Sequence, residues 1–214
     1  MNYQDLIIFF MEVIGTIAFA ASGAMVGVEK KMDIFGVCVL GVVTSVGGGM
    51  IRDIVLGLTP PNVFRNPVYA LMATVTSCMV FGVLYVKRHL MEGHFKATYE
   101  KVLLVMDTIG LGIFTVVGVN TGIEQGYVEK MFLLVFLGTV TGIGGGILRD
   151  MMAGVPPYVF VRHVYACASI VGAVVCVLTH RSFGAVPSMT ISFLVVILIR
   201  FFAARYHWNL PRVE

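Results

Sequence analysis

Seven runs of about twenty mostly apolar residues, separated by short charged stretches, fix the solvent in which this chain folds. They lie at roughly 6–28, 34–57, 67–86, 102–123, 131–153, 162–179 and 183–204. A soluble domain carries about a quarter charged residues; here the share is 13%, and 58% of residues are hydrophobic. Runs of this length in lipid must satisfy their backbone internally, which selects helices. The sequence predicts an all-α membrane protein with seven transmembrane helices. Ala18 to Ala21 resemble a signal-peptidase site, but no basic residue precedes the first run and Glu12 interrupts it, so a retained first span is expected.

Lysine and arginine are unevenly shared between the two sides. Alternating spans place Arg52, Arg65, Lys130 and Arg181 on one side. The other receives Lys30, Lys31, Lys87, Arg88, Lys96, Lys101, Arg149, Arg162, Arg200, Arg205 and Arg212. The bias predicts a multi-pass cell-membrane protein with its N-terminus outside and its C-terminus in the cytoplasm.

The chain repeats itself. Residues 44–53 read TSVGGGMIRD and residues 141–150 read TGIGGGILRD. Each is followed by a glycine (Gly57, Gly154), a proline pair (Pro60-Pro61, Pro156-Pro157), a phenylalanine (Phe64, Phe160) and Tyr-Ala (Tyr69-Ala70, Tyr165-Ala166). Upstream, Glu12, Gly15, Phe19, Gly23 and Gly27 align with Asp107, Gly110, Phe114, Gly118 and Gly122. The predicted organisation is a first three-helix repeat over 1–90, a second over 91–180, and a seventh helix with a tail over 181–214. An odd number of spans inverts the second copy relative to the first. Inverted repeats are common in transport proteins, whose sites lie near the bilayer midplane at discontinuous helices.

Gly47, Gly48 and Gly49 begin about 20 Å along the second span at 1.5 Å per residue, and Gly144, Gly145 and Gly146 match them in the fifth. At about 1 kcal/mol of helix propensity each, the triplets predict a kink or break, whose freed backbone groups need protein or water partners. Close helix packing is the competing reading, and it is the favoured one for Gly23-xxx-Gly27 and Gly118-xxx-Gly122. Arg52-Asp53 and Arg149-Asp150 follow the triplets. Sequence neighbours diverge by about 100° on a helix, so pairing across the repeats, Arg52 with Asp150 and Arg149 with Asp53, is expected; an interfacial anchor at each helix end is the alternative. Glu12 and Asp107 should face the bundle interior or water, either attracting cations or bonding a neighbouring helix. Thr44, Ser45, Thr108, Thr115, Thr139 and Thr141 either line a polar pathway or bond back to their own backbone.

Several classes are excluded. Cys38, Cys78, Cys167 and Cys176 all lie in apolar runs without ligand spacing and read as packing residues. His89, His94, His163, His180 and His207 lie in loops or near span ends. No metal, nucleotide or hydrolase motif occurs, so neither an enzyme nor a bound cofactor is expected. The net charge of +3 has no aromatic-interleaved basic stripe beside it, which leaves lipid rather than nucleic acid as partner.

The duplicated TxxGGGxxRD, with Pro-Pro and Phe a few residues later, resembles the TRIC family of trimeric intracellular cation channels, whose bacterial relatives also carry the label glycine transporter domain. The resemblance covers roughly residues 6–180. It implies a homotrimer with one ion pathway per protomer, passing potassium and sodium. It implies second and fifth helices that kink at Gly47–Gly49 and Gly144–Gly146 and line the path. The neighbouring polar candidates are Thr44, Ser45, Arg52, Asp53, Thr141, Arg149 and Asp150, with Glu12 and Asp107 as the remaining intramembrane acids. The animal channels carry basic residues in the fourth span; none occurs here between Lys101 and Lys130, which argues against voltage gating of that kind. A secondary transporter of glycine or another small solute, and a membrane scaffold, are the alternatives to a channel.

Overall fold

The computed structural model describes residues 3–88, 95–161, 164–206 and 208, and every regular element among them is a helix. In chain order these are α1 (Tyr3–Glu29), α2 (Ile34–Val55), the short α3 (Asn62–Arg65), α4 (Val68–Arg88), α5 (Phe95–Glu124), α6 (Met131–Met152), the short α7 (Tyr158–Val161), α8 (Tyr165–Phe183) and α9 (Ala185–Arg205). Seven are long and apolar enough to cross a membrane. The expected spans match them with two shifts. α5 begins at Phe95, so Lys96 and Lys101 stand on its first turns and not in a loop. α8 runs on to Phe183 and is joined to α9 by Gly184 alone. His89, His94, Arg162, His163, His207 and Arg212 lie outside the described residues.

The helices form two trios. α1, α2 and α4 pack on one another, as do α5, α6 and α8; the trios meet along α2 against α6 and α1 against α5. Their central contact is reciprocal. A Cβ on Gly48 would run into the backbone carbonyl oxygen of Thr141, and one on Gly145 into that of Thr44. When residue i touches j′ and j touches i′, the two halves are related by a two-fold axis. With three spans in each half that axis lies in the membrane plane, so the fold is two inverted three-helix repeats plus a seventh helix. α9 packs against α8 and α5, seated on Gly112 and Gly172, whose added Cβ atoms would press on Phe193 and Val196. No described helix takes the corresponding place on the first repeat, where Ile17, the counterpart of Gly112, is 41% exposed.

The expected break at the glycine triplets is absent: α2 and α6 are unbroken helices through Gly47–Gly49 and Gly144–Gly146. The helix keeps its hydrogen bonds, and the glycines are spent on proximity. In lipid, where apolar burial gives helices little reason to associate, backbone-close van der Waals contact does so instead. The triplet divides its work. Gly47 accommodates Leu148, Gly48 the backbone of α6, and Gly49 meets only the Arg52 guanidinium, 3.7 Å from a placed Cβ. Gly23 and Gly118 admit the hydroxyls of Thr44 and Thr141 to α1 and α5, so the small-residue pairs do pack helices. Both motif helices then end alike. Gly57 (φ +71) and Gly154 (φ +66) take the left-handed conformation, and Leu58 N and Val155 N donate to the carbonyls of Asp53 and Asp150, a Schellman stop.

Alanine at Gly48 or Gly145 is therefore expected to cost about 1–3 kcal/mol or more, as overpacking does, whereas Gly49→Ala should be nearly neutral. Melting curves of the detergent-solubilised variants check this ranking; equal loss at all three positions would contradict the crossing geometry.

Candidate functional site: two inverted arginine–carboxylate clusters

Each RD motif ends its helix in the same polar corner. Arg52 Nε donates to Asp53 Oδ1 at 2.9 Å, and Arg149 Nε to Asp150 Oδ1 at 2.8 Å. The second oxygen of each carboxylate accepts from the backbone of the following short helix: Asn62 N to Asp53 Oδ2 and Tyr158 N to Asp150 Oδ2, both 2.8 Å. One aspartate thus holds its own arginine and the first N–H of α3 or α7. This explains why the motif reads RD, then glycine, then Pro-Pro. The glycine turns the chain, the prolines present the next helix start, and the carboxylate caps it.

The expected pairing across the repeats is not formed. Neighbouring side chains do leave the helix at different angles, but the arginine stem is long enough to curl across the helix end to the adjacent carboxylate. Arg52 and Arg149 also stand in the last turns of α2 and α6, buried in protein, so neither belongs in a tally of loop charges. Arg200, counted there as a flanking residue, lies inside α9 and is 2% exposed.

Beyond the shared corner the clusters diverge. In the first repeat, Glu12 of α1 accepts a short hydrogen bond from the Tyr69 hydroxyl of α4. Glu12, Tyr69, Arg52, Asp53, Asn62, Ser45 and Gly49 line a cavity of about 460 Å³, counted with its open mouth and walled elsewhere by residues that include Phe114 and Val117. In the second repeat, Arg149 Nη1 binds Asp107 Oδ1 at 2.6 Å and donates to Ser22 Oγ at 2.5 Å. Arg200 Nη2 stands 4.0 Å from Asp107 Oδ2, and its guanidinium lies 4.7 Å above the ring of Tyr165, the counterpart of Tyr69. Arg149, Asp107, Asp150, Tyr165 and Arg200 are all at most 2% exposed. The first cluster faces a cavity, and the second is sealed. Because the repeats are inverted, the cavity lies toward the face on which α1 begins and the sealed cluster toward the other.

Thr44 and Thr141 do not face the cavity. Each bonds back to its own helix, to Leu40 O and Leu137 O at 2.6 Å, and fills the crossing against Gly23 and Gly118. Ser45 also bonds back, to Val42 O at 2.9 Å, yet lines the cavity. Gly146 turns toward the Tyr165 hydroxyl, 3.2 Å from a placed Cβ, as Gly49 turns toward Arg52. Between the clusters stand the paired Phe19 and Phe114, ring centroids 5.3 Å apart. Phe114 lines the cavity, and Phe19 packs in the apolar cluster that holds Tyr165.

Removing a partner from a sealed ion network strands the remaining charges, at about 3–5 kcal/mol. Arg149→Met is expected to lower the melting temperature far more than Arg52→Met, whose carboxylates keep access to a cavity. Comparable losses in the two variants would show that the clusters are equally buried.

The comparisons with known proteins agree with this architecture. The family model described as Glycine transporter matches residues 9–85 and residues 104–181, one stretch within each repeat. The chain is 36% identical over 209 residues to the inner membrane protein YadS of Escherichia coli K12, covering 96% of both chains. It is 33% identical over 203 residues to the membrane protein YvgT of Bacillus subtilis 168, covering 94% of both. Among solved structures, a prokaryotic TRIC channel determined in 0.5 M KCl superposes with a TM-score of 0.85 at 30% identity, over 96% of this chain and 99% of that one. The TRIC trimeric intracellular cation channel orthologue of Rhodobacter sphaeroides gives 0.81 at 30% identity, over 94% and 99%. A duplicated GGGxxRD corner, inverted three-helix repeats and likeness along nearly the whole chain place this protein in the TRIC family.

Proposed function

We propose that this chain is a monovalent-cation channel, passing potassium and sodium, and that it works as a homotrimer with one path in each protomer. It sits in the cell membrane with its N-terminus outside and its C-terminus in the cytoplasm. The observation that carries the reading is the charge balance of the first-repeat cavity, where the carboxylates of Glu12 and Asp53 face the single guanidinium of Arg52. Walls of low dielectric focus such an excess and raise the local concentration of counter-ions. The likeness to TRIC cation channels supports the same reading.

On this reading ions enter at Glu12 and reach the apolar constriction of Phe19 and Phe114. Arg149, Asp107 and Arg200 close the far side, so conduction requires that side to open. α2 and α6 flank both clusters and touch at Gly48 and Gly145. A small slide of one helix past the other would alter both ends of the path together. The residues hold and release ions, and no bond chemistry is asked of them.

Recording of the purified protein in planar bilayers tests this. Discrete potassium-over-chloride steps are expected, with chemical cross-linking that stops at three copies. Glu12→Gln should lower potassium conductance on the order of tenfold in dilute salt, with the deficit shrinking as ionic strength rises. Saturable glycine uptake without unitary currents would replace the channel with a carrier. Undiminished conductance in Glu12→Gln would remove the cavity from the path.

A further inference from the structure

The two repeats carry the same acid–tyrosine–arginine–aspartate set, yet their charge sums differ. The first holds Glu12 and Asp53 against Arg52, one negative charge in excess when all are ionised. The second holds Asp107 and Asp150 against Arg149 and Arg200, which balance. The balancing charge comes from outside the repeat, on the seventh helix. Its buried stripe, Ser188, Ser192, Val196 and Arg200, recurs every four residues and seats on Gly112 and Gly172, which brings the Arg200 guanidinium over Tyr165 and beside Asp107.

Toward Asp107, Arg200 stands as a counter-ion and not as a hydrogen-bond donor. Arg149 already makes the short contact to Asp107, through Oδ1. Asp107 Oδ2 is fully buried, and neither arginine donates a hydrogen bond to it. The Arg200 Nη2 opposite it stands at 4.0 Å, beyond hydrogen-bond reach but close enough to neutralise. In the first repeat no described arginine occupies that place, and the corresponding acid, Glu12, lines the cavity.

We propose that Arg200 is a tethered counter-cation: it occupies in the second repeat the position that a free monovalent cation takes in the first, and so leaves only one of the two inverted half-sites open to ions. The proposal rests on reading the first cavity as a cation site. Arg200 acts on ions through Asp107, as a positioning residue.

The test exchanges the tethered cation for a free one. Arg200→Gln leaves a net negative, fully enclosed cluster. Its melting temperature is expected to be low in N-methyl-D-glucamine chloride and to rise by about 2–4 °C when potassium or rubidium replaces that ion at equal ionic strength. Arg200→Lys should behave as wild type. Asp107→Asn/Arg200→Gln, which removes one charge of each sign, should lose the dependence on small cations. A merely structural arginine predicts the same loss in both salts, and that result overturns the proposal. If Arg200→Gln fails to accumulate, the double variant decides: its recovery supports charge balance, and its loss refutes it. In liposome flux, Glu12→Gln/Arg200→Gln should regain part of the potassium flux lost in Glu12→Gln. No loss in Glu12→Gln would remove the first cavity as a cation site and the comparison built on it, whereas cation-independent melting of Arg200→Gln would sink the counter-ion alone.

Discussion

The rest of the structure depends on a contact between two backbones, where Gly48 of α2 lies on Thr141 and Gly145 of α6 lies on Thr44. No side chain, however small, fits at either position. In water such a crossing would be one contribution among many. In lipid, where the surroundings are as apolar as the helix surface, it is a principal means of holding two halves together. It lies on the pseudo-two-fold axis, so one contact geometry serves twice. The third glycine of each triplet faces the polar cluster of its own repeat, which ties the packing of the crossing to the setting of the ionised groups.

Those groups show how a membrane interior tolerates charge. Asp53 and Asp150 each serve an arginine and a helix start at once, so their lone pairs are used within a few residues of chain. The charge of Asp107 is balanced from farther away, by Arg149 of α6 and the nearby Arg200 of α9. Glu12 has a tyrosine hydroxyl and a cavity. The two repeats hold matching corners, and only the second has an arginine of the seventh helix beside it.

Much of this was legible in the sequence. The spans followed from run length, the inversion from an odd span count, and the packing role of Gly23 and Gly118 from their spacing. The rest depends on what each residue touches, which rules for single residues leave out. Three glycines lower helix propensity, but propensity is a weak term beside the partner they admit, so the expected break gave way to an unbroken helix. The angle between Arg52 and Asp53 argued against their pairing, but it describes Cβ directions and neglects the reach of an arginine. Arg200 was hidden by a counting rule that assigns basic residues near span ends to the flanks. Its signal was present: Phe201, Phe202, Ala203 and Ala204 follow it, and it continues the four-residue stripe of Ser188, Ser192 and Val196.

The joint at Gly184 bears on how the molecule assembles. With φ +80 and ψ −175 it adopts a conformation essentially reserved for glycine, and it is the whole connection between α8 and α9. A link of one residue spans under about 4 Å, so the loop-closure entropy of folding α9 back along α8 is close to its minimum. Pairing of the two helices can start from contacts local to the joint. Arg200 and Asp107, distant in sequence, are therefore brought together by a short-range event: once α8 has packed beside α5, its hairpin partner is already alongside. The second half-site is closed by the order of the chain, with no long search for the helix that closes it.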